Sequence, residues 1–258
     1  MSLIKTDNEI KLMRESGKIL SAALAAAVKA VAPGVSVREL DKIAEATLRA
    51  AGAVPSFKGY RTSKKDPAFP STLCVSVGSE VVHGSADRNL KLKEGEIVSL
   101  DIGCEYKGYF TDMAVTVPVG EISDEAKKLM RITREALFAG VRAAKPKGNV
   151  KDISSAVENY VKPHGYGIVT ALVGHGVGHA VHEEPSIPNY TYPRMPSVPL
   201  KQGMCLAIEP MIALGSGEVE TADDGWTAIT VDRSVAAHFE MTIVVTKNGH
   251  EILTHLPV

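Results

Sequence analysis

One stretch of the chain returns later in it. Shifted by 113 residues, VKAVAPGVSVREL at 28–40 lies on VRAAKPKGNVKDI at 141–153. Val28 meets Val141, Ala30 meets Ala143, Pro33 meets Pro146, Val37 meets Val150 and Glu45 meets Glu158. The helix caps coincide as well, Ser36 on Asn149. In each copy a long helical pattern stops at a proline and a capped, shorter helix follows. Thr6-Asp7-Asn8-Glu9 has capping-box form and opens the first long helix, with Ile10, Met13, Leu20 and Leu24 on one face. Ser36-Val37-Arg38-Glu39 is a second capping box, leading into Leu40, Ile43, Thr47 and Leu48. Ser123 opens the later long helix (Leu129, Ile132, Ala136, Leu137, Val141) and Asn149 the later short one (Ile153, Val157, Val161). Strand patterns follow each pair, over 72–77, 97–103 and 109–117, then over 167–173, 204–208, 227–231 and 237–245. Any helix–proline–cap–helix unit shares part of this likeness. Two α+β halves of similar build, about 1–120 and 121–258, account for more of it. No linker separates them, so a single domain with a cleft between its halves is expected, and clefts of that kind hold ligands.

The composition narrows the function classes. At 258 residues, 45% apolar and 23% charged, the chain can bury a large core. A formal charge of −1 exerts no global pull toward nucleic acid or an anionic membrane. No apolar run approaches the roughly 20 residues of a membrane span, and MSLIKTDNEIKLM has no apolar signal-peptide segment. Cys74, Cys104 and Cys205 show no CxxC spacing, which argues against a zinc ribbon and for reduced thiols in a cytoplasmic protein.

The stretch VSLDIGCEYKGYFTDMAVTV at 98–117 reads as a hairpin around Lys107-Gly108. A turn centred between Tyr106 and Lys107 puts Asp101 opposite Asp112, where like charges repel unless a cation sits between them. A solvent-facing aspartate and a turn-capping one would be the plain alternative. In the second half, glycines punctuate VGHGVGHAVH at 173–182. His175 and His179 have the i, i+4 spacing of a helical zinc pair, but Gly174, Gly176 and Gly178 make a helix there improbable. Those glycines instead let backbone approach something closely. Glu209 ends an apolar run before Pro210, and Glu240 lies inside another; each asks for a partner, either a salt bridge or an ion. Four carboxylates and an imidazole, with no thiolate, suit divalent Mn, Fe, Co or Zn, and two such ions neutralise four carboxylates.

Taken in order, Asp101, Asp112, His175, Glu209 and Glu240 stand in the contexts LDIG, TDMAV, GHGVGH, AIEP and FEMT. In order and context the set closely resembles the type I methionine aminopeptidases, along nearly the whole chain. The resemblance implies an α+β "pita-bread" fold, with two pseudo-symmetric halves around a mostly antiparallel curved sheet and helices on its outer face. It implies removal of the initiator methionine from nascent chains, by attack of a metal-bound hydroxide on the first peptide bond. Asp112 and Glu240 would bridge two divalent ions, Asp101 would bind the first alone, and His175 and Glu209 the second. Glu209 would shuttle a proton, His182 would steady the oxyanion, and His83 would contact the scissile amide nitrogen. Phe57, Tyr60, Phe69, Cys74 and Trp226 fall on the positions that line the methionine slot. Association with the ribosome is also implied, with no membrane and no specific nucleic acid as partner. His179 is left out of the ligands, since the family usually has another residue there.

The chain departs from the family pattern in three places. GYxGFP is interrupted, Gly59-Tyr60-Arg61 being separated from Phe69-Pro70 by the polar insert TSKKDPA, expected as a flap at the pocket rim. Gly78-Ser79 replaces an Asn-Glu pair where relatives hold a monovalent cation. His83-Gly84-Ser85-Ala86 lacks the proline of HGxP. Prolidases and proline-specific aminopeptidases share the five ligands but carry a large N-terminal domain, whereas this chain begins with the first catalytic helix. Type II methionine aminopeptidases need a helical insert between His182 and Glu209, where only 26 residues lie. A non-catalytic pita-bread binding module would lack ligands that this chain keeps.

Overall fold

The computed structural model describes residues 2–63 and 67–257. Four helices form where the apolar periodicity and the caps place them. They are α1 (Asp7–Lys29), α2 (Val37–Ala50), α3 (Asp124–Ala143) and α4 (Val150–Val161). The capping box at Thr6 and Glu9 is closed, and Asn149 forms another with Asp152. Ser36 differs from expectation and caps α2 through the Arg38 N–H rather than a closed box with Glu39. The likeness between the helix pairs extends to their backbone bonds. The N–H groups of Gly34, Val37 and Leu92 donate to the carbonyls of Leu92, Leu90 and Val35, as those of Lys147, Val150 and Leu200 donate to Leu200, Val198 and Gly148. Glu45 pairs with Arg49 at 2.7 Å, and Glu158 with Lys162 at 3.1 Å.

The strands, in chain order, are β1 (Val54–Pro55), β2 (Leu73–Val77), β3 (Glu80–Val82), β4 (Ile97–Tyr106), β5 (Tyr109–Pro118), β6 (Gly167–Ile168), β7 (Gly174–Gly176) and β8 (Glu183–Ile187). Then come β9 (Cys205–Ile208), β10 (Met211–Ala213), β11 (Val219–Thr221), β12 (Ala228–Thr230), β13 (Ala236–His238), β14 (Glu240–Val245) and β15 (His250–Ile252). A nine-stranded sheet runs β1-β4-β5-β14-β9-β7-β8, with β2 also on β4 and β15 also on β14. Two small sheets, β13-β10-β6 and β11-β12-β3, complete the fold, and its strand pairs are antiparallel. The run read as one strand over 237–245 breaks at Phe239, so that β13 and β14 serve different sheets. Only 167–168 of the run over 167–173 is strand.

The hairpin turn lies one residue later than expected. Lys107 and Gly108 both have positive φ, 52° and 85°, as a two-residue hairpin loop requires. Tyr106 therefore faces Tyr109, Asp101 faces Ala114, and Asp112 faces Gly103. Asp101 and Asp112 are diagonal neighbours rather than direct opposites. They still share a face, because facing residues point the same way. Alternation separates apolar from acidic positions. Leu100 and Ile102 of β4, Met113 and Val115 of β5, Leu206 and Ile208 of β9, and Met241 and Ile243 of β14 join the helices in one core. Asp101, Asp112 and Glu240 take the alternate positions of those strands.

Candidate metal centre

The sheet register brings the carboxylates together. Ala114 pairs with Asp101 on one side and with Glu240 on the other, and its single methyl leaves the space between them open. Ile208 pairs with Met241, so Glu209 and Glu240 lie side by side where both chains bend out of the large sheet. His175 of β7 faces Ala207 of β9. Glycine permits that approach, since a Cβ on Gly174 would stand 2.5 Å from the Ala207 carbonyl oxygen and one on Gly176 would collide with that of Glu184. Ligand atoms of Asp101, Asp112 and Glu240 lie within 4.8 Å of one another, and so do those of His175, Glu209 and Glu240. Glu240 belongs to both groups. Asp112 Oδ2 is also 4.0 Å from His175 Nε2, which in turn is 3.4 Å from Glu209 Oε1.

All four acids are buried, and among the described residues their only ion-pair partners are histidines, with no lysine or arginine. Burial pushes Asp101 up to about 7 and Glu209 up to about 8, and, with repulsion among neighbouring carboxylates, holds Asp112 and Glu240 well above the usual range. Asp101 Oδ1, Asp112 Oδ1 and Glu240 Oε1 have no hydrogen-bond partner. Buried carboxylate oxygens without partners are costly, and a divalent cation in each three-residue group would compensate them. The imidazole is prepared in the same sense. His175 Nδ1–H donates to the Gly176 carbonyl at 2.9 Å, which leaves the Nε2 lone pair facing Asp112 and Glu209. Burial, followed by the neighbouring His182, pushes His175 down to about 3, so it stands neutral, the form that binds metal. The donor set therefore fits two oxygen-preferring divalent ions sharing Glu240.

One cavity of about 300 Å³ is lined by all five of these residues and by His83, His182, Phe57, Tyr60, Phe69, Cys74 and Trp226. Phe57, Phe69, Cys74 and Val181 form a small apolar cluster against which Tyr60 and Trp226 pack. Phe69 and Trp226 meet edge to face at 5.4 Å. His182 stands edge-on to His175, ring centroids 4.5 Å apart, and its Nδ1 is 3.0 Å from the Tyr60 hydroxyl. His83 follows β3 with φ 61°, a left-handed conformation unusual for a non-glycine residue and typical of functional sites. Burial pushes its imidazole down to about 4. Around the insert, Phe69 N–H donates to Tyr60 O at 2.9 Å and Gly59 N–H to Phe69 O at 2.8 Å, closing the neck of the loop. Thr62 reaches the cavity wall, while residues 64–66 of the expected flap lie outside the described residues.

His179 turns away from the cavity and bonds Glu9 of α1 at 2.8 Å. At the expected monovalent-cation position, Gly78 and Ser79 accept N–H bonds from Ala236 and Thr230 through their carbonyls. Sequence reasoning did not find Val82, Leu172 and Met211, which also line the cavity. Nor did it find His238. That imidazole is buried, and its Nε2 lies 3.5 Å from Glu209 Oε2. Its only sequence signal is a histidine two residues before a buried glutamate, which says nothing about Glu209.

Comparison with known proteins bears on the whole chain. The sequence profile of metallopeptidase family M24 matches residues 11–247. A methionine aminopeptidase of Clostridium perfringens is 46% identical over 255 residues, 98% of this chain and 99% of that protein. The crystal structure of methionine aminopeptidase from Thermotoga maritima superposes with a TM-score of 0.92 at 42% identity, covering 97% of this chain and 98% of that one. A prolidase from Pyrococcus furiosus shares the fold at TM-score 0.79 and 28% identity, covering 98% of this chain but 65% of that one.

Proposed function

The chain belongs to metallopeptidase family M24, and we propose that it removes the N-terminal methionine from peptides in a metal-dependent hydrolysis. One observation carries the reading. Two ligand groups that meet at Glu240 open into the same cavity as an apolar slot of aromatic rings and a thiol. An unbranched thioether packs well against rings and sulfur, which favours methionine over a β-branched or cyclic side chain. The natural substrates are nascent chains that still carry the initiator residue, which places the protein in the cytoplasm, near the ribosome. Among the described residues, no helix is long and apolar enough to cross a membrane.

Asp101, Asp112 and Glu240 would hold one divalent ion, and His175, Glu209 and Glu240 the second, with Asp112 shared. The ions, when bound, supply Lewis acidity and lower the pKa of a water, and Mn, Fe, Co or Zn would each serve. Everything else falls to the chain. Phe57, Tyr60, Phe69, Cys74 and Trp226 orient the methionine side chain and exclude water from around it. Glu209 takes the proton of the attacking water and returns it to the leaving amine. His182 Nδ1 lies 3.0 Å from the Tyr60 hydroxyl; with that hydroxyl as donor, the His182 proton would reside on Nε2, the donor an oxyanion requires. His83, which also lines the cavity, is available to the amide nitrogen of the scissile bond.

The reading is tested with Met-Ala-Ser, Leu-Ala-Ser and Ala-Pro peptides, after chelation and add-back of each metal. Cleavage of Met-Ala-Ser that is lost on chelation and restored by a divalent ion is expected. Preference for the proline peptide would move the protein to the prolidase class, and no turnover with any metal would make it a binding module.

A further inference from the structure

His238 is the one imidazole at the site to which the reaction gives no work. Its backbone is fixed independently of the ring, since the N–H donates to Thr116 Oγ1 at 2.8 Å and the carbonyl accepts from the same hydroxyl at 2.8 Å. Opposite it in the small sheet is Met211, so strand pairing makes no demand on the ring. Yet the ring is 1% exposed, and neither Nδ1 nor Nε2 has a hydrogen-bond partner. A buried polar group in that state is costly, and an apolar side chain of similar size would avoid the cost. Its nearest acidic atom is Glu209 Oε2, 3.5 Å from Nε2, while the other oxygen of the same carboxylate is 3.4 Å from His175 Nε2. Glu209 is thus bracketed by two imidazoles, one at each oxygen, at the bend between β9 and β10.

We propose that His238 is a positioning residue for Glu209, its Nε2–H holding Oε2 so that Oε1 stays turned toward the His175 side of the metal centre. A carboxylate can only accept, so the ring nitrogen facing it must carry the proton. At 3.5 Å the contact sits at the outer edge of hydrogen bonding, and such contacts commonly tighten when an active site is loaded. The bend gives Glu209 no neighbour in the sheet ladder beyond Ile208, which leaves its side chain to be aimed by contacts of this kind. Partners that orient metal ligands from behind change metal affinity by about 10–100-fold when removed. The proposal rests on the dinuclear reading given above.

The test uses the full chain, stripped of metal and titrated calorimetrically with Mn²⁺. Wild-type protein should take up two equivalents. In His238→Leu the affinity for one equivalent should fall about tenfold or more while the other is little changed. His238→Gln, whose amide N–H can replace Nε2–H, should recover most of that loss. In the wild-type protein loaded with Zn²⁺, nitrogen-15 NMR of the histidine rings should show His238 protonated at Nε2 and slow to exchange. A folded leucine variant with two unchanged affinities, or an Nδ1-protonated His238, would overturn the proposal, and the NMR arm decides alone if the leucine variant does not fold. Wild-type protein that binds no second ion would overturn the dinuclear reading and this proposal with it. Two ions in wild type beside an unaffected leucine variant would remove only the role given to His238.

Discussion

Glu240 is the residue on which the two ligand groups depend in common, and this makes the acids unequal. Asp101→Asn changes a ligand of one group only, so Mn²⁺ stoichiometry by calorimetry should fall from two to one. Glu240→Gln touches both groups, and neither ion should bind at the wild-type affinity. Equal effects of the two substitutions would contradict the shared-ligand arrangement. In the proposed mechanism Tyr60 acts at one remove from the chemistry. Its hydroxyl contributes one bond to His182, worth about 0.5–1.5 kcal/mol, so Tyr60→Phe should lower kcat about 2–10-fold on Met-Ala-Ser and leave KM nearly unchanged. If the ring served only to fill the slot, kcat would stay at the wild-type value in steady-state kinetics. At this scale the sequence was readable where an acid interrupted an apolar run, as at Asp101, Asp112 and Glu240. It was silent at His238, because nothing local to a histidine in AAHFEM reveals that a bend 29 residues earlier has brought Glu209 to its ring.

Helices and strands were legible to different degrees, for a physical reason. Helix boundaries are set by local chemistry, namely caps, prolines and a 3.6-residue period, so α1 through α4 formed over the segments that the sequence indicated. Strand register is set by partners far away and by turns. The hairpin of β4 and β5 is the case in point: the apolar pattern located both strands, but only the loop geometry fixes which residues face each other. With Lys107 and Gly108 both left-handed, Asp101 and Asp112 become diagonal neighbours and Glu240 can approach from the far side of Ala114. Lys107 adopts a conformation that asparagine tolerates better. Lys107→Asn should therefore stabilise the protein by about 0.5–1 kcal/mol, raising Tm by about 1–4 °C without changing activity. Gly108→Ala should lower Tm, since its φ of 85° strains any residue with a Cβ. The strand expected over 237–245 shows the complementary limit. Its break at Phe239 lies beside the break at Pro210 between β9 and β10, a paired corner that periodicity in one segment does not register.

At the scale of the whole molecule the centre ties distant parts of the chain together, since β4 and β5 supply two acids and β7, the end of β9, and β14 supply the rest. Without metal, that meeting point sets burial against charge. The folded-state pKa values of Asp101 (about 7) and Glu209 (about 8), with those of Asp112 and Glu240, lie above their unfolded values. The folded state therefore binds more protons, and stability falls as pH rises through that range. His83 and His175, pushed down to about 4 and about 3 by burial, act oppositely. Their contribution grows as pH rises from their folded values to about 6.5, the unfolded value, and is constant above it. From pH 4 to 6.5 the two sets offset one another, and above 6.5 the contribution of these histidines is constant while that of the carboxylates continues to change. Metal-free protein should accordingly lose Tm between pH 6.5 and 8.5, as followed by calorimetry or circular dichroism. Divalent ions bind the deprotonated acids and only the folded arrangement brings those acids together, so the gain in Tm on adding saturating Mn²⁺ should increase over the same interval. A metal-free Tm that rises from pH 6.5 to 8.5, or a metal-induced gain independent of pH, would mean that the four carboxylates are compensated in the folded chain without an ion, and the case for a metal centre would lose its physical ground.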